Sequence, residues 1–161
     1  MPTGPRVLID NACYHITARG NQKQATFVTK SDYEELLHRI DHYKHKHAVR
    51  LYAYCLMPNH LHFVLRPAIS RNLSKFMHGL LRSYTKFFNE KYDKVGHLWQ
   101  GRFKSKIIDN IEYMHDASAY IENNPVRAGM VEKALDYQWS SCQERLLFGW
   151  NKKRLIDDFS S

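Results

Sequence analysis

The chain reads as an α+β protein of ferredoxin-like (RRM-like) form, an antiparallel sheet with helices packed on one face and a C-terminal helical segment. Three observations predict it. Four short runs, at 13–19, 50–56, 60–67 and just after Gly101, read as strands. Two stretches of helical period separate them, in the order strand, helix, strand, strand, helix, strand. The 161 residues, 43% apolar and 25% charged, suffice for one ordinary domain with a buried core and no staples. The expectation is a single domain over 1–161, with its core at about 14–141 and a tail over 142–161.

Cys13–Arg19 is the first strand. Ser31-Asp-Tyr-Glu34 has the form of a capping box, and behind it Tyr33, Leu36, Leu37, Ile40 and Tyr43 recur at helical spacing. Arg50–Leu56 is the second strand. Met57-Pro58-Asn59 suits a tight turn, so the next strand returns antiparallel and ends at Arg66-Pro67. Within it, MPNHLHFVL places His60 and His62 on one face and Leu61 and Phe63 on the other. If Leu61 and Phe63 lie under the helices, two imidazoles face the free side within reach of one ion. The plainer reading is a half-exposed strand that happens to carry histidines.

A long helix spans roughly Asn72–Tyr92, with Leu73, Phe76, Met77, Leu80, Leu81, Tyr84, Phe87 and Phe88 in one broad stripe. Arg71, Lys75, Arg82 and Lys86 cluster on its other side with no acidic residue among them, which points to phosphate contact beyond a merely solvated face. In GHLWQGRFKSKIID, Arg102, Lys104 and Lys106 share one face of a strand. Cations in alternation beside Trp99 suit single-stranded or hairpin nucleic acid, although Trp99 serves equally as core. Arg19 at the end of the first strand joins these candidate DNA contacts. Asp109 and Glu112 can open the last helix, whose buried stripe is Ile111, Met114, Ser118 and Ile121. Tyr120 and Asn124 are i, i+4 neighbours on a different face, and Pro125 ends the helix, leaving Asn124 on its last turn.

Composition narrows the function. Twenty-four Lys+Arg against sixteen Asp+Glu leave a net charge of +8 and a pI near 9.4, which favours a polyanionic partner. Three widely spaced cysteines (Cys13, Cys55, Cys142) read as reduced side chains of a cytoplasmic protein. No run reaches the ~18 apolar residues of a membrane helix, and the first ten residues lack the form of a signal peptide. In HRIDHYKHKH, His38 and His42 stand one turn apart, but Arg39, Lys44 and Lys46 would repel a cation there.

MPNHLHFVL, GHLWQGRFKS and YIENNPVRAG, in this order and at these separations, resemble the single-tyrosine HUH transposases, and among them the REP-associated tyrosine transposases. The resemblance runs from about Tyr14 to Ser141. It implies that His60 and His62 are the HUH pair, Asn124 the third metal ligand and Tyr120 the nucleophile. Related chains often have a histidine where this one has Glu122, on the far side of the helix from Tyr120, and little effect on the chemistry is expected.

The implied activity is metal-dependent nicking and rejoining of single-stranded DNA carrying palindromic hairpins, through a covalent 5′-phosphotyrosine. Two imidazoles and an amide oxygen leave about three positions of an octahedral ion free for water and phosphate, which suits Mg²⁺ or Mn²⁺. A phenol ordinarily ionises near pH ~10, so a neighbouring group must favour its deprotonation, and Asp116 is a candidate. The competing class is a hairpin-binding module with a decayed nuclease site, against which the retention of all four residues argues. The resemblance leaves monomer and homodimer both open.

Overall fold

In a computed structural model, which describes residues 9–148 and 153–160, four strands form one antiparallel sheet. They are β1 (Cys13–Arg19), β2 (Val49–Met57), β3 (His60–Pro67) and β4 (Lys104–Ile108), in the order β2-β3-β1-β4. Helix α1 (Lys30–Lys46) joins β1 to β2, and α2 (Ser70–Tyr92) joins β3 to β4. This is the ferredoxin-like arrangement the sequence predicts.

Alternation in the strands decides which face the helices cover. Ile16 of β1 and Leu61, Phe63 and Leu65 of β3 are fully buried with Leu36 and Ile40 of α1 and Leu73, Phe76, Met77 and Leu80 of α2. Each such side chain, taken out of water, contributes on the order of 2 kcal/mol. Trp99 belongs to this core as well. No helix of the described residues is long and apolar enough to cross a membrane.

Helix α1 starts earlier than the Ser31–Glu34 box implies. Thr29 is its N-cap, and Asp32 accepts the Thr29 amide at 3.0 Å. The carboxylate of Asp32 is fully buried and also accepts from the Val28 amide (2.8 Å), Lys91 Nζ (2.6 Å) and Tyr92 Oη (2.5 Å). Four donors on one buried carboxylate set the boundary, while Glu34 stays at the surface, 3.6 Å from Lys30.

The second face of the sheet is less open than the sequence predicts. Helix α3 (Ile111–Glu122) lies over β2 and β3, burying Met114 and Ile121 against Tyr52, Ala53, Cys55, Met57 and Val64. The cause is β2, which is buried at every position but Arg50, the pattern of a strand covered on both sides. Two local boundaries also differ. Asn110, not Asp109, caps α3, accepting the Tyr113 amide at 2.9 Å. Helix α3 stops at Glu122, and α4 (Asn124–Arg127) begins at once, with Pro125 in its first turn. A proline is favourable there because the amide it lacks would have had no helical partner. Asn124 therefore opens the second helix instead of closing the first.

Asp32 supplies a test of the fold. Burial raises its carboxyl pKa, but the donors from Lys91, Tyr92, Thr29 and Val28 outweigh that and hold it below the ordinary value. A depressed carboxyl stabilises the fold fully above the unfolded pKa of ~3.9 and loses that contribution as pH falls through the folded value. Asp32→Asn is expected to lower unfolding free energy by about 2 kcal/mol at neutral pH. In urea denaturation the gap to wild type should close as the pH drops below ~4.

Candidate active site

Directly paired residues of antiparallel strands point to the same side of a sheet. In β3 and β1, His60 pairs with Arg19, His62 with Thr17 and Val64 with His15. In β1 and β4, His15 pairs with Lys106 and Thr17 with Lys104. His60 and His62 therefore stand on the face away from α1 and α2; the His62 row continues through Thr17 to exposed Lys104, and the row beside it runs from Val64 through His15 to exposed Lys106. Cations line the histidines on this face, and the strand partners of both histidines come from β1 on one side and β2 on the other.

In each ring Nδ1 is engaged, and His60 Nε2 has only a long contact, 3.5 Å from Asn124 Nδ2. His60 Nδ1 donates to Asn59 Oδ1 at 2.7 Å, since an amide oxygen can only accept. His62 Nδ1 lies 3.0 Å from His15 Nε2 and 3.3 Å from Thr17 Oγ1. Burial, with Arg19 nearby, lowers the His60 pKa to about 4. Burial, then His15, His60, Arg19 and Arg127, lowers that of His62 to about 3. Both imidazoles are thus neutral near pH 7, and the Nε2 of His60 keeps its lone pair. A ring nitrogen tied by a neighbour, with the other free, is the usual setting of a metal-binding histidine.

Asn124 brings the third group. Its Nδ2 lies 3.5 Å from His60 Nε2, while its Oδ1 accepts from Arg127 Nη2 at 3.2 Å. The amide must turn to offer its oxygen on the His60 side. Arg127 also donates to the Tyr120 carbonyl at 2.8 Å, and its guanidinium carbon lies 3.7 Å from the centre of the Tyr120 ring. Tyr120 is 56% exposed. One arginine side chain therefore joins the tyrosine to the asparagine, and the asparagine touches the histidine.

His60, His62 and Asn124 fit a divalent ion that keeps several of its own waters: two neutral imidazoles, one amide and an open side. Among the described residues no three or more His, Cys, Asp or Glu side chains form a metal cage. None of the three candidate donors is a carboxylate.

The basic residues divide into two groups. Arg19, Lys104 and Lys106 share the histidine face. Arg71, Lys75 and Lys86 are exposed on α2, which packs against the opposite face of the sheet. Arg82, on α2 as well, and Arg102 line a cavity of about 610 Å³ together with Trp99 and His97. Sequence reasoning missed His15, Thr17 and Arg127. The first two had a signal, since His15, Thr17 and Arg19 alternate in β1, and Arg127 stands three and seven positions after Asn124 and Tyr120.

The depressed histidines predict a pH dependence. A histidine that stays neutral when folded takes up its proton in the unfolded chain near pH ~6.5. Stability is then full above that value and falls as the solution is acidified towards the folded pKa values of about 4 and 3. Proton NMR should show both rings neutral at pH 5. His62→Gln should flatten the decline in unfolding free energy between pH 6.5 and 4.5, and an unchanged slope would locate the linked groups elsewhere.

Comparison with known proteins bears on the fold and the family. No curated protein matches the chain. Among solved structures, it superposes on a REP-associated tyrosine transposase bound to a REP hairpin with a TM-score of 0.75, at 22% identity, over 99% of this chain and 96% of that one. A protein of Deinococcus radiodurans R1 described as a candidate transposase aligns with a TM-score of 0.51, at 17% identity, over 76% and 97% of the two chains. At such identities the likeness is one of fold. The profile of the family described as "Transposase IS200 like" matches residues 9–124, a span that takes in both histidines, Tyr120 and Asn124, and the chain belongs to that family.

Proposed function

We propose that the protein is a metal-dependent transposase that nicks and rejoins single-stranded, hairpin-bearing DNA, with Tyr120 as nucleophile. The observation that supports it most is the contact chain from Tyr120 through Arg127 and Asn124 to His60. It brings an exposed phenol and two neutral imidazoles to one side of the sheet. The hairpin belongs to the proposal because the structural neighbour is bound to one. The whole chain acts as one domain, in the cytoplasm where chromosomal DNA lies.

In this reading the DNA strand crosses the sheet from β4, its phosphates held by Lys104, Lys106 and Arg19. His60, His62 and Asn124 would hold Mg²⁺ or Mn²⁺, and the ion, when bound, would supply Lewis-acid polarisation of the scissile phosphate. The Tyr120 oxygen attacks phosphorus. The new O–P bond forms as the bond to the 3′ oxygen breaks, the phenolic proton passes to solvent and the departing oxygen gains one. The Arg127 guanidinium over the ring offsets negative charge developing on the phenolic oxygen. Because the phosphotyrosine keeps the energy of the ester, a 3′ hydroxyl from another strand can reverse the attack and join DNA without ATP.

Two measurements test this. Wild-type protein with a single-stranded palindrome and Mn²⁺ should form an SDS-stable adduct at the 5′ phosphate of the nick. Tyr120→Phe should bind the hairpin yet form none, and His60→Ala or His62→Ala should form none while remaining folded. Cleavage without an adduct would make the enzyme a hydrolytic nuclease. For the DNA path, neutralising Lys104 and Lys106 together should lower the slope of log affinity against log salt by about 1.4. Neutralising Arg71, Lys75 and Lys86 should leave the slope unchanged, and the reverse result would move the DNA to the helix side.

A further inference from the structure

Glu122 is a carboxylate only 7% exposed, two residues from Tyr120 and two from Asn124, and the proposed chemistry does not use it. We infer that Glu122 is a positioning residue that holds the Tyr120–Asn124 segment in register with the histidine strand through Ser141 and Arg145. The inference rests on the transposase reading only for its effect on rate.

Two steps along a helix turn the side chain by ~200°, so Glu122 points into the protein where Tyr120 points out. Its Oε1 accepts from Ser141 Oγ at 2.6 Å and from Arg145 Nε and Nη2 at 3.1 and 2.9 Å. Both partners are tied to the backbone of β2. The Ser141 amide donates to the Tyr54 carbonyl at 2.9 Å, the Tyr54 amide donates to Ser141 Oγ at 2.9 Å, and Arg145 Nη2 donates to the Tyr52 carbonyl. Farther along the same strand, Cys55 pairs with His62 and Met57 with His60. A continuous hydrogen-bonded path thus runs from the end of the tyrosine helix to the strand beside the histidines.

The remaining contacts of α3 cannot do this alone. Met114, Ala117 and Ile121 meet the sheet through apolar surface, which is non-directional and tolerates a small slide or rotation. Three bonds converging on one carboxylate oxygen do not. Arg145 is itself on a fixed support, because Glu144 beside it accepts from Tyr54 Oη and the Leu155 amide, each at 2.5 Å.

The test compares Glu122→Ala, Glu122→Gln and Arg145→Lys with Ile40→Val, a mild core change in the helix layer chosen to lower Tm without touching α3. Amide hydrogen exchange over 111–124 is measured without DNA, and adduct formation is measured under single-turnover conditions with saturating hairpin and Mn²⁺. Glu122→Ala is expected to exchange faster over 111–124 and to form adduct on the order of 10²-fold more slowly, with hairpin affinity unchanged. Glu122→Gln, which still accepts from Ser141 and Arg145, should recover most of the rate. Arg145→Lys, which cannot reach both Glu122 and Tyr52, should behave like a weaker Glu122→Ala and replaces it if that variant does not fold. Ile40→Val should alter neither reading. Wild-type exchange over 111–124 in Glu122→Ala, or a rate loss no larger than that of Ile40→Val, overturns the inference. If the wild type forms no adduct, the transposase reading fails, and the exchange data alone decide the role of Glu122.

Discussion

Everything in the site follows from the alternation of one strand. In β3 the odd-numbered Leu61, Phe63 and Leu65 are buried under α1 and α2, and the even-numbered His60, His62 and Val64 are forced to the other side. A shift of one residue in register would reverse both sets, placing imidazoles in the core and leucines in water. The fully buried leucines and phenylalanine make that slip costly. The core therefore does more than stabilise the fold, since it determines that two histidines face the same way and stay there.

The chemistry of that face is unusual for its charge. Its metal-binding candidates are all neutral, and Arg19, Lys104, Lys106 and Arg127 surround them. In the proposed reading such a site would hold a divalent ion weakly until a DNA phosphate, the anion these cations would attract, arrives. Three carboxylates, Asp32, Glu122 and Glu144, are instead buried, and each gathers several donors.

What the sequence made legible, and what it hid, divides along one physical line. Periodicity revealed the strands, the helices and the histidine pair, because side-chain direction in β3 and α2 depends on local geometry alone. Tyr120 and Asn124 came from a resemblance carried by three motifs. Capping was less transparent: Thr29 with Asp32 prevailed over Ser31 with Glu34 because Lys91 and Tyr92, some sixty residues away, also bond to Asp32. Proline at 125 looked like a stop and instead opens a second helix, since one residue type suits both positions. His15 was hidden for want of a register, as only the pairing of β1 with β3 places it against His62. Glu122 looked idle because its partners lie about twenty residues on, in a segment with no recognisable motif.

The outer edge of β2 has a bearing on how the protein is made. Its free carbonyls and amides are met by backbone and side chains from the far end of the chain: Trp139 for Leu56, Ser141 for Tyr54 and Asp157 for Leu51. On the ribosome, β2 is complete long before those residues emerge. A nascent chain thus carries an apolar strand with one bare edge, the kind of surface that recruits other strands. Fragments ending before Trp139 would inherit the same exposure and should be prone to precipitate. Trp139, Ser141 and Asp157 thereby close the edge that other strands would otherwise meet.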